Sequence, residues 1–413
     1  MNTLRVILLM RASTCRAGAF VEAADRLGIG VVRGIDIDPK LAEQWPVRLP
    51  LQFDRPEESA QRIVDFARQQ PVAAILAVDD SATVIAAMAS ERLGLLHNSG
   101  QAAQAARNKH HMRQLLAATG LLSPQFQLFD RTDDPRSIGS ELDYPCVLKP
   151  LLLSGSRGVI RADNPVEFMA AFTRLGHILD RLAPTPDSTK ILVEDFIPGF
   201  EVALEGILDQ GRLHVLALFD KPDPLDGPFF EETIYVTPSR LPDAVQAEIA
   251  GCTAQAAAAL GLQLGPVHAE LRVNEAGPWI VEIAGRSIGG LCSQTLRFGP
   301  DISLEELILR QAVGLKIESL RRQGEARGVM MIPIPEAGLL MAVTGLAEAE
   351  AVPGIESIEI TARLNQPLVP LPEGDSYLGF IFAAGRRPAE VEVALRQAHR
   401  RLKFEVLPLL SLA

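Results

Sequence analysis

The sequence predicts an α/β protein built from several domains, and three observations carry that prediction. Strand-like and helix-like segments alternate through the first hundred residues. At 413 residues the chain is too long for one core, and roughly 150 residues per domain implies two to four. A hydrophobic share of 47% supplies the apolar surface to fold them, which excludes disorder by composition.

The N-terminal elements read in order. Val6 to Met10 is a continuous apolar run, as expected of a strand buried on both faces. Phe20 to Leu27 follows as a short helix and Gly30 to Asp36 as a second strand. Ser59 to Arg68 is helical, Val72 to Val78 is a third buried strand, and Ser81 to Leu93 closes another helix. This alternation predicts a parallel, Rossmann-like sheet with helices on both faces. Gly28-Ile-Gly30-Val-Val-Arg33-Gly34 is a near miss to a dinucleotide fingerprint. It precedes a strand instead of following one, so a helix-to-strand turn is the better reading. No GxxxxGK[ST] occurs, which excludes a P-loop.

From Gln101 the chain becomes a polar helical stretch containing Asn108-Lys-His-His111, followed by strand-like alternation from Leu121 to Phe129. Arg131 to Asp143 reads as a connector. Tyr144 to Pro150 is a strand running into Ser154-Gly-Ser-Arg-Gly158, and Pro165 to Leu182 is a helix. Ala183 to Thr189 is the clearest linker. Ile191 to Ile197 and Glu201 to Leu208 are strands parted by Pro198-Gly199, and Pro242 to Leu260 is an alanine-rich helix. Val267 to Val273 and Trp279 to Ala284 form a hairpin, and Ser303 to Val313 is amphipathic. Beyond Arg327 come short strands and a final helix, Pro388 to Leu402.

Charge and cysteine usage narrow the function classes. With 40 Lys+Arg against 51 Asp+Glu, the net charge of −11 argues against a general nucleic-acid binder. It leaves open one polyanionic small molecule in a locally basic pocket. The longest membrane candidate, Gly338 to Leu346, is far short of the roughly 20 apolar residues of a span. The N-terminal apolar run stops at Arg11, too short for a signal peptide. Cys15, Cys146, Cys252 and Cys292 show no CxxC spacing, so they read as reduced thiols. The expectation is a cytoplasmic protein without nucleic-acid or membrane partners.

The hairpin carries the most chemistry. A turn centred on Ala276 sets Glu270 opposite Glu282, and like charges at that spacing are unfavourable unless a cation lies between them. Mg²⁺ suits such a pair, since it takes carboxylate oxygens together with substrate phosphates. Two solvated glutamates are the alternative, although the flanking Val267, Ala269, Leu271, Ile280, Val281 and Ile283 argue for burial. Lys149 stands at a strand end beside Ser154 to Gly158, where small residues let backbone N–H groups approach phosphate. Alone, that segment reads equally well as a surface turn. Glu194-Asp-Phe-Ile197 and Glu201 offer backbone groups and a carboxylate to a nucleoside, although on their own they read better as an amphipathic strand with a polar outer face. Arg286-Ser-Ile-Gly-Gly290 supplies a guanidinium fork and a flexible loop. His268 could share the Glu270 face, though a structural histidine is the simpler reading. His110 and His111 read as helix-surface residues, and Asp79 and Asp80 as ligands at a strand end or as a helix cap.

The order and spacing of these pieces resemble the ATP-grasp superfamily from about Gln101 to Arg327. The resemblance implies residues 1–108 as an N-terminal α/β domain, 109–187 as a small lobe with the lid, 188–327 as a large α+β lobe, and 328–413 as a small α+β C-terminal domain. It implies that Lys109 and Lys149 hold ATP phosphates, that Ser154, Gly155, Ser156, Arg157 and Gly158 form the lid, and that Glu194, Asp195, Phe196 and Ile197 form the adenine hinge. Glu201 looks like the ribose acid, Glu270 and Glu282 like the Mg²⁺ ligands (Mn²⁺ serving equally), and Arg286 like the arginine on the transferred phosphate. Ala284 stands where many members carry a metal-ligating Asn, which puts a second metal ion in doubt. Phe229 to Ser239 and Glu282 to Gly290 look most like the L-amino acid ligases, with Glu232, His268, Arg286, Ser287, Gly289 and Gly290 on the substrate side. The implied activity is ATP-dependent joining of a carboxylate and an amine, both amino acids, through an acyl phosphate, in a chain that could dimerise. The competing readings are a carboxylase or nucleotide-biosynthesis ligase of the same fold and an ATP-binding regulator without turnover.

Overall fold

A computed structural model describes residues 4–44, 47–182 and 185–408. Ala183 and Pro184 of the expected linker, and the chain beyond 408, lie outside the described residues. The N-terminal unit runs β1 (Arg5–Arg11), α1 (Ala17–Leu27), β2 (Gly30–Asp36), α2 (Pro39–Ala42), β3 (Leu49–Leu51), α3 (Pro56–Gln69), β4 (Ala74–Ala77) and α4 (Thr83–Leu93). Its sheet has the order β3-β2-β1-β4 with parallel pairings throughout. Val6, Ile7, Leu8 and Leu9 of the central β1 are fully buried, which is why that run carries no polar alternation. Gly28, the first glycine of the near-miss fingerprint, takes φ 65° and donates its N–H to Ala24 and Asp25, ending α1 in a left-handed cap.

The polar stretch after Gln101 is two helices, α5 (Gly100–Arg107) and α6 (Lys109–Ala117). Asn108 breaks them: its side chain accepts from the N–H groups of His110 and His111 and caps α6. Lys109 is thereby fixed at the first position of that helix.

The small lobe contains β5 (Phe126–Asp130), α7 (Pro135–Gly139), β6 (Cys146–Pro150), β7 (Ile160–Ala162), α8 (Pro165–Leu179) and β8 (Lys190–Asp195). Its antiparallel sheet has the order β5-β8-β6-β7. Phe168, Phe172, Leu175 and Ile178 of α8 cover one face. Two expectations shift: α7 lies inside the supposed connector, and α8 stops at Leu179, before Leu182.

The large lobe follows with β9 (Phe200–Asp209), β10 (Arg212–Asp220), β11 (Ile234–Thr237), α9 (Asp243–Ala259), β12 (Gly265–Asn274), β13 (Gly277–Ala284), β14 (Arg297–Phe298), β15 (Ile302–Ser303) and α10 (Leu304–Ala312). The C-terminal part contains β16 (Ala326–Ile332), β17 (Gly338–Thr344), α11 (Leu346–Glu350), β18 (Ile355–Ile360), β19 (Pro367–Leu368), β20 (Gly379–Gly385), α12 (Pro388–Arg401) and β21 (Lys403–Pro408). One eight-stranded sheet, β13-β12-β9-β10-β11-β16-β20-β18, joins the two parts. The expected division at 327/328 falls inside β16, which pairs with β11 from Ile234↔Met330 to Thr237↔Arg327. This pairing brings the segment between β18 and β20 over the large lobe. Among the described residues no helix is long and apolar enough to cross a membrane.

Candidate active site

A cavity of about 520 Å³ opens where the N-terminal sheet, both lobes and the C-terminal part meet. Its basic wall starts with Lys109, which is 7% exposed. The Lys109 ammonium donates to the Leu153 carbonyl at 2.8 Å and to Glu282 at 3.2 Å. Lys149 on β6 lies 2.6 Å from Glu194. Arg113, one helical turn beyond Lys109, grips the same carboxylate through Nε at 2.7 Å and a terminal nitrogen at 3.2 Å. Burial alone would raise the Glu194 pKa, but Arg113 and Lys149 outweigh it and hold the group down at about 2. Glu194 is therefore a permanent anion that positions Lys149.

The hairpin places its glutamates as expected, by a different route. The turn lies between Glu275 and Ala276, because Asn274 pairs with Gly277. That register alone would set Ala269 opposite Glu282. Val281 is skipped in a β-bulge, and the slip restores the pair Glu270↔Glu282. Both side chains line the cavity. Lys221, at the end of β10, reaches into the same region. Its buried ammonium sits 2.9 Å from Glu201, 2.5 Å from Glu232 and 3.5 Å from Glu270. These three carboxylates are close enough to share one cation, and Lys221 already supplies a positive charge to them. Glu282, the cross-strand partner of Glu270, accepts from Lys109 at 3.2 Å.

Glu201 departs from the simple ribose expectation. One oxygen accepts from Lys221 and the other from Arg272 Nε at 2.8 Å, so both are engaged inside the protein. Phe196 is sandwiched by cations, with the Arg161 guanidinium 4.1 Å and that of Arg272 4.9 Å from its ring centre. Asp195 and Ile197 also line the cavity. Glu232 accepts in addition from the Tyr235 hydroxyl at 2.7 Å. Burial raises the Glu232 pKa, and Lys221 opposes the rise.

The loop after β13 ties the cavity to the N-terminal sheet. Arg286 Nε donates to Asp80 at 2.8 Å. Glu205, fully buried beneath it, accepts the Ile288 N–H at 3.0 Å and lies 3.2 Å from His268 Nδ1. His268 Nε2 stands 3.4 Å from Glu270, and its cross-strand partner is Ala284. Gly289 and Gly290 line the cavity.

Three of the expected site residues are not on this cavity's wall. Ser287 does not line this cavity; its hydroxyl accepts from buried Arg16 instead. Of the expected lid, Ser154, Gly155 and Ser156 line the cavity but Arg157 and Gly158 do not. The Arg157 Nε is sealed in protein without a partner, and the Gly158 N–H donates to the Pro372 carbonyl at 2.8 Å. The lid is thus packed against the C-terminal segment, where Asp375 lies 3.6 Å from the position a Cβ on Gly155 would take. Thr361, Arg363, Asp375 and Tyr377 of that segment complete the cavity wall.

Sequence reasoning missed Arg113, Lys221, Arg272 and this C-terminal wall. The four-residue spacing of Arg113 from Lys109 was a usable signal. Lys221 directly follows β10, a strand that was not anticipated, and the wall depends on long-range pairing.

The comparisons agree with this geometry. The ATP-grasp domain family matches residues 142–295, its N-terminal domain matches 21–96, and the L-amino acid ligase C-terminal domain 2 matches 330–407. The chain is an ATP-grasp protein. It is similar to the alanine–anticapsin ligase of Bacillus subtilis, 28% identical over 62% of this chain and 61% of that protein. Dapdiamide A synthase of Enterobacter agglomerans is 27% identical over 62% of this chain and 61% of that one. The alignments to these ligases thus span about six-tenths of their length. The crystal structure of an L-amino acid ligase from Bacillus licheniformis superposes with a TM-score of 0.79 at 25% identity. That match covers 98% of this chain and 100% of the other. The ATP-grasp protein described here is therefore similar in structure to an L-amino acid ligase over 98% of its chain.

Proposed function

We propose that this protein joins two amino acids by an amide bond, spending ATP and releasing ADP and phosphate. The observation that carries this reading is the shared cavity: residues of the ATP-grasp lobes and of the L-amino acid ligase C-terminal domain line one space. A carboxylase or a non-catalytic regulator has no such support.

The residues present fit a magnesium nucleotide. Lys109 and Lys149 are buried cations beside a loop of small residues, which suits phosphate. Glu270 and Glu282 are opposed oxygen donors on one wall, the donor chemistry that Mg²⁺ or Mn²⁺ takes. In this reading Glu270 and Glu282 hold the ion, which when bound neutralises charge on the phosphates. With Ala284 offering no donor, one ion is the expected complement.

The chain's own groups then account for the rest. Lys109 and Lys149 hold the nucleotide's phosphates, and Arg286, held by Asp80 through Nε and by the Ser287 carbonyl through one terminal nitrogen, offers its other terminal nitrogen to the transferred group. The substrate carboxylate attacks the γ-phosphorus to give an acyl phosphate. The second amino acid's amine attacks the acyl carbon, and phosphate leaves. Ser154 to Ser156 and the 361–377 wall exclude water that would hydrolyse that intermediate.

Phosphate release from ATP and Mg²⁺, measured with each pair of standard amino acids, tests the proposal. Release with at least one pair, with the dipeptide found by mass spectrometry, is the expected result. Tight ATP binding without release for any pair would overturn it.

A further inference from the structure

A second cavity of about 130 Å³ shares Asp80 with the wall of the main one. It opens between α4 and α5 on one side and α10 and the α9–β12 loop on the other. Its wall is mostly apolar, with Leu76, Ala87, Ala103 and Ile308 among the lining residues. Engineered apolar cavities of about 150 Å³ hold molecules the size of benzene.

Two polar groups on this wall have no partner. Arg107, the last residue of α5, makes no ion pair or hydrogen bond with its side chain among the described residues, and its Nε is sealed without an acceptor. Burial lowers its pKa, and the charge of Asp80 offsets that fall only in part. The Ser90 hydroxyl, in a residue 1% exposed, is likewise unpaired. Among the described residues, the sealed Nε of half-buried Arg107 and the buried Ser90 hydroxyl are both left open on one small apolar cavity, and such groups are costly to keep without a ligand. Asp80, the one acid among the residues of this wall, is bound to Arg286 and acts on Arg107 only through space, without a hydrogen bond or ion-pair contact.

We propose that this cavity is a second ligand site, separate from the main one, for a short branched aliphatic monocarboxylate. The carboxylate meets the Arg107 guanidinium and accepts from Ser90, and the alkyl chain fills the space beside Ala87 and Ala103. A free amino acid fits less well, since its ammonium would find no unpaired acid here.

Isothermal titration of the full chain with isovalerate, without nucleotide, tests this. Saturable binding is expected, with the neutral isostere isovaleramide at least about tenfold weaker. Arg107→Gln should weaken isovalerate about tenfold, and Ala87→Phe, which fills the cavity, should abolish it. Lys149→Met, in the main cavity, should leave it unchanged. No saturable binding, equal binding of the amide, or loss of binding in Lys149→Met would each overturn the proposal. The acid–amide comparison needs no variant, so it decides the matter even if a substituted chain fails to fold.

Discussion

Arg286 and Asp80 form a 2.8 Å ion pair between residues 206 positions apart, joining the loop after the glutamate hairpin to the end of the first parallel sheet. The arginine side chain is 13% exposed and the aspartate 20%, so the pair is largely screened from water. It fixes the guanidinium at the mouth of the cavity without consuming all its donors.

Replacing Asp80 with Asn should therefore leave a buried guanidinium poorly compensated. The expected cost is up to about 3 kcal/mol in urea unfolding, with a larger fall in ligase turnover than in ATP affinity. Burial opposes ionisation of Asp80, but Arg286 outweighs it and its pKa falls below the ordinary value. A depressed carboxylate contributes stability above its unfolded pKa, about 3.9. That contribution should fade as pH drops below this value in the parent and be missing from the Asn variant.

Glu282→Gln should cut phosphate release by about a hundredfold or more while the melting temperature stays within a few degrees of the parent. The substitution is isosteric and removes one of two opposed carboxylates, so the hairpin has no reason to unfold. Full turnover in the variant would show that the Glu270–Glu282 pair holds no catalytic metal.

Much of this site was legible because its chemistry is local. Lys149 precedes a Ser/Gly loop, and Glu270 and Glu282 sit on one hairpin whose turn residues mark the register. The register was right only because the Val281 bulge offset a turn displaced by half a residue, and nothing in the sequence announces that bulge. Arg157 reads from the sequence as a phosphate ligand because a cation beside a glycine-rich segment does so whichever way the backbone turns it. Ser156 and Gly158 both adopt positive φ, and the intervening chain carries Arg157 off the cavity wall. Lys221 and the 361–377 wall reach the cavity through β10 and the β11–β16 pairing, and sequence separation hides both.

The Glu194 network offers a second pH test. Its pKa, displaced from 4.5 to about 2, ties about 3 kcal/mol of stability to the ionised carboxylate. Because the folded value is depressed, that stability is complete above the unfolded pKa and is lost as pH falls toward 2. Glu194→Gln should remove this acid-dependent loss and, by stranding Arg113 and Lys149, cost about 3–5 kcal/mol at neutral pH. Urea titrations of both proteins across the acid range measure it.

The 154–158 loop, the lid of the proposed function, is held by a surface contact, and its strength predicts a local effect. Arg174 binds Glu373 through two hydrogen bonds of 2.7 and 2.9 Å, next to Pro372, whose carbonyl accepts the Gly158 N–H. The side chains are 45% and 27% exposed, so the pair is worth under about 1 kcal/mol. Glu373→Gln should then leave global unfolding almost unchanged. Opening of the lid, however, needs only local contacts to break, and a loss of that size would speed exchange of the Gly158 amide by up to about fivefold. The Arg174 hydrogen bonds lower the Glu373 pKa, so in the parent the same acceleration should emerge only as pH falls below the ordinary glutamate value. Hydrogen exchange that quickens at Gly158 but not in the buried β1 strand would establish that the C-terminal segment restrains the lid. Uniform acceleration across both would show instead that Glu373 supports the whole fold.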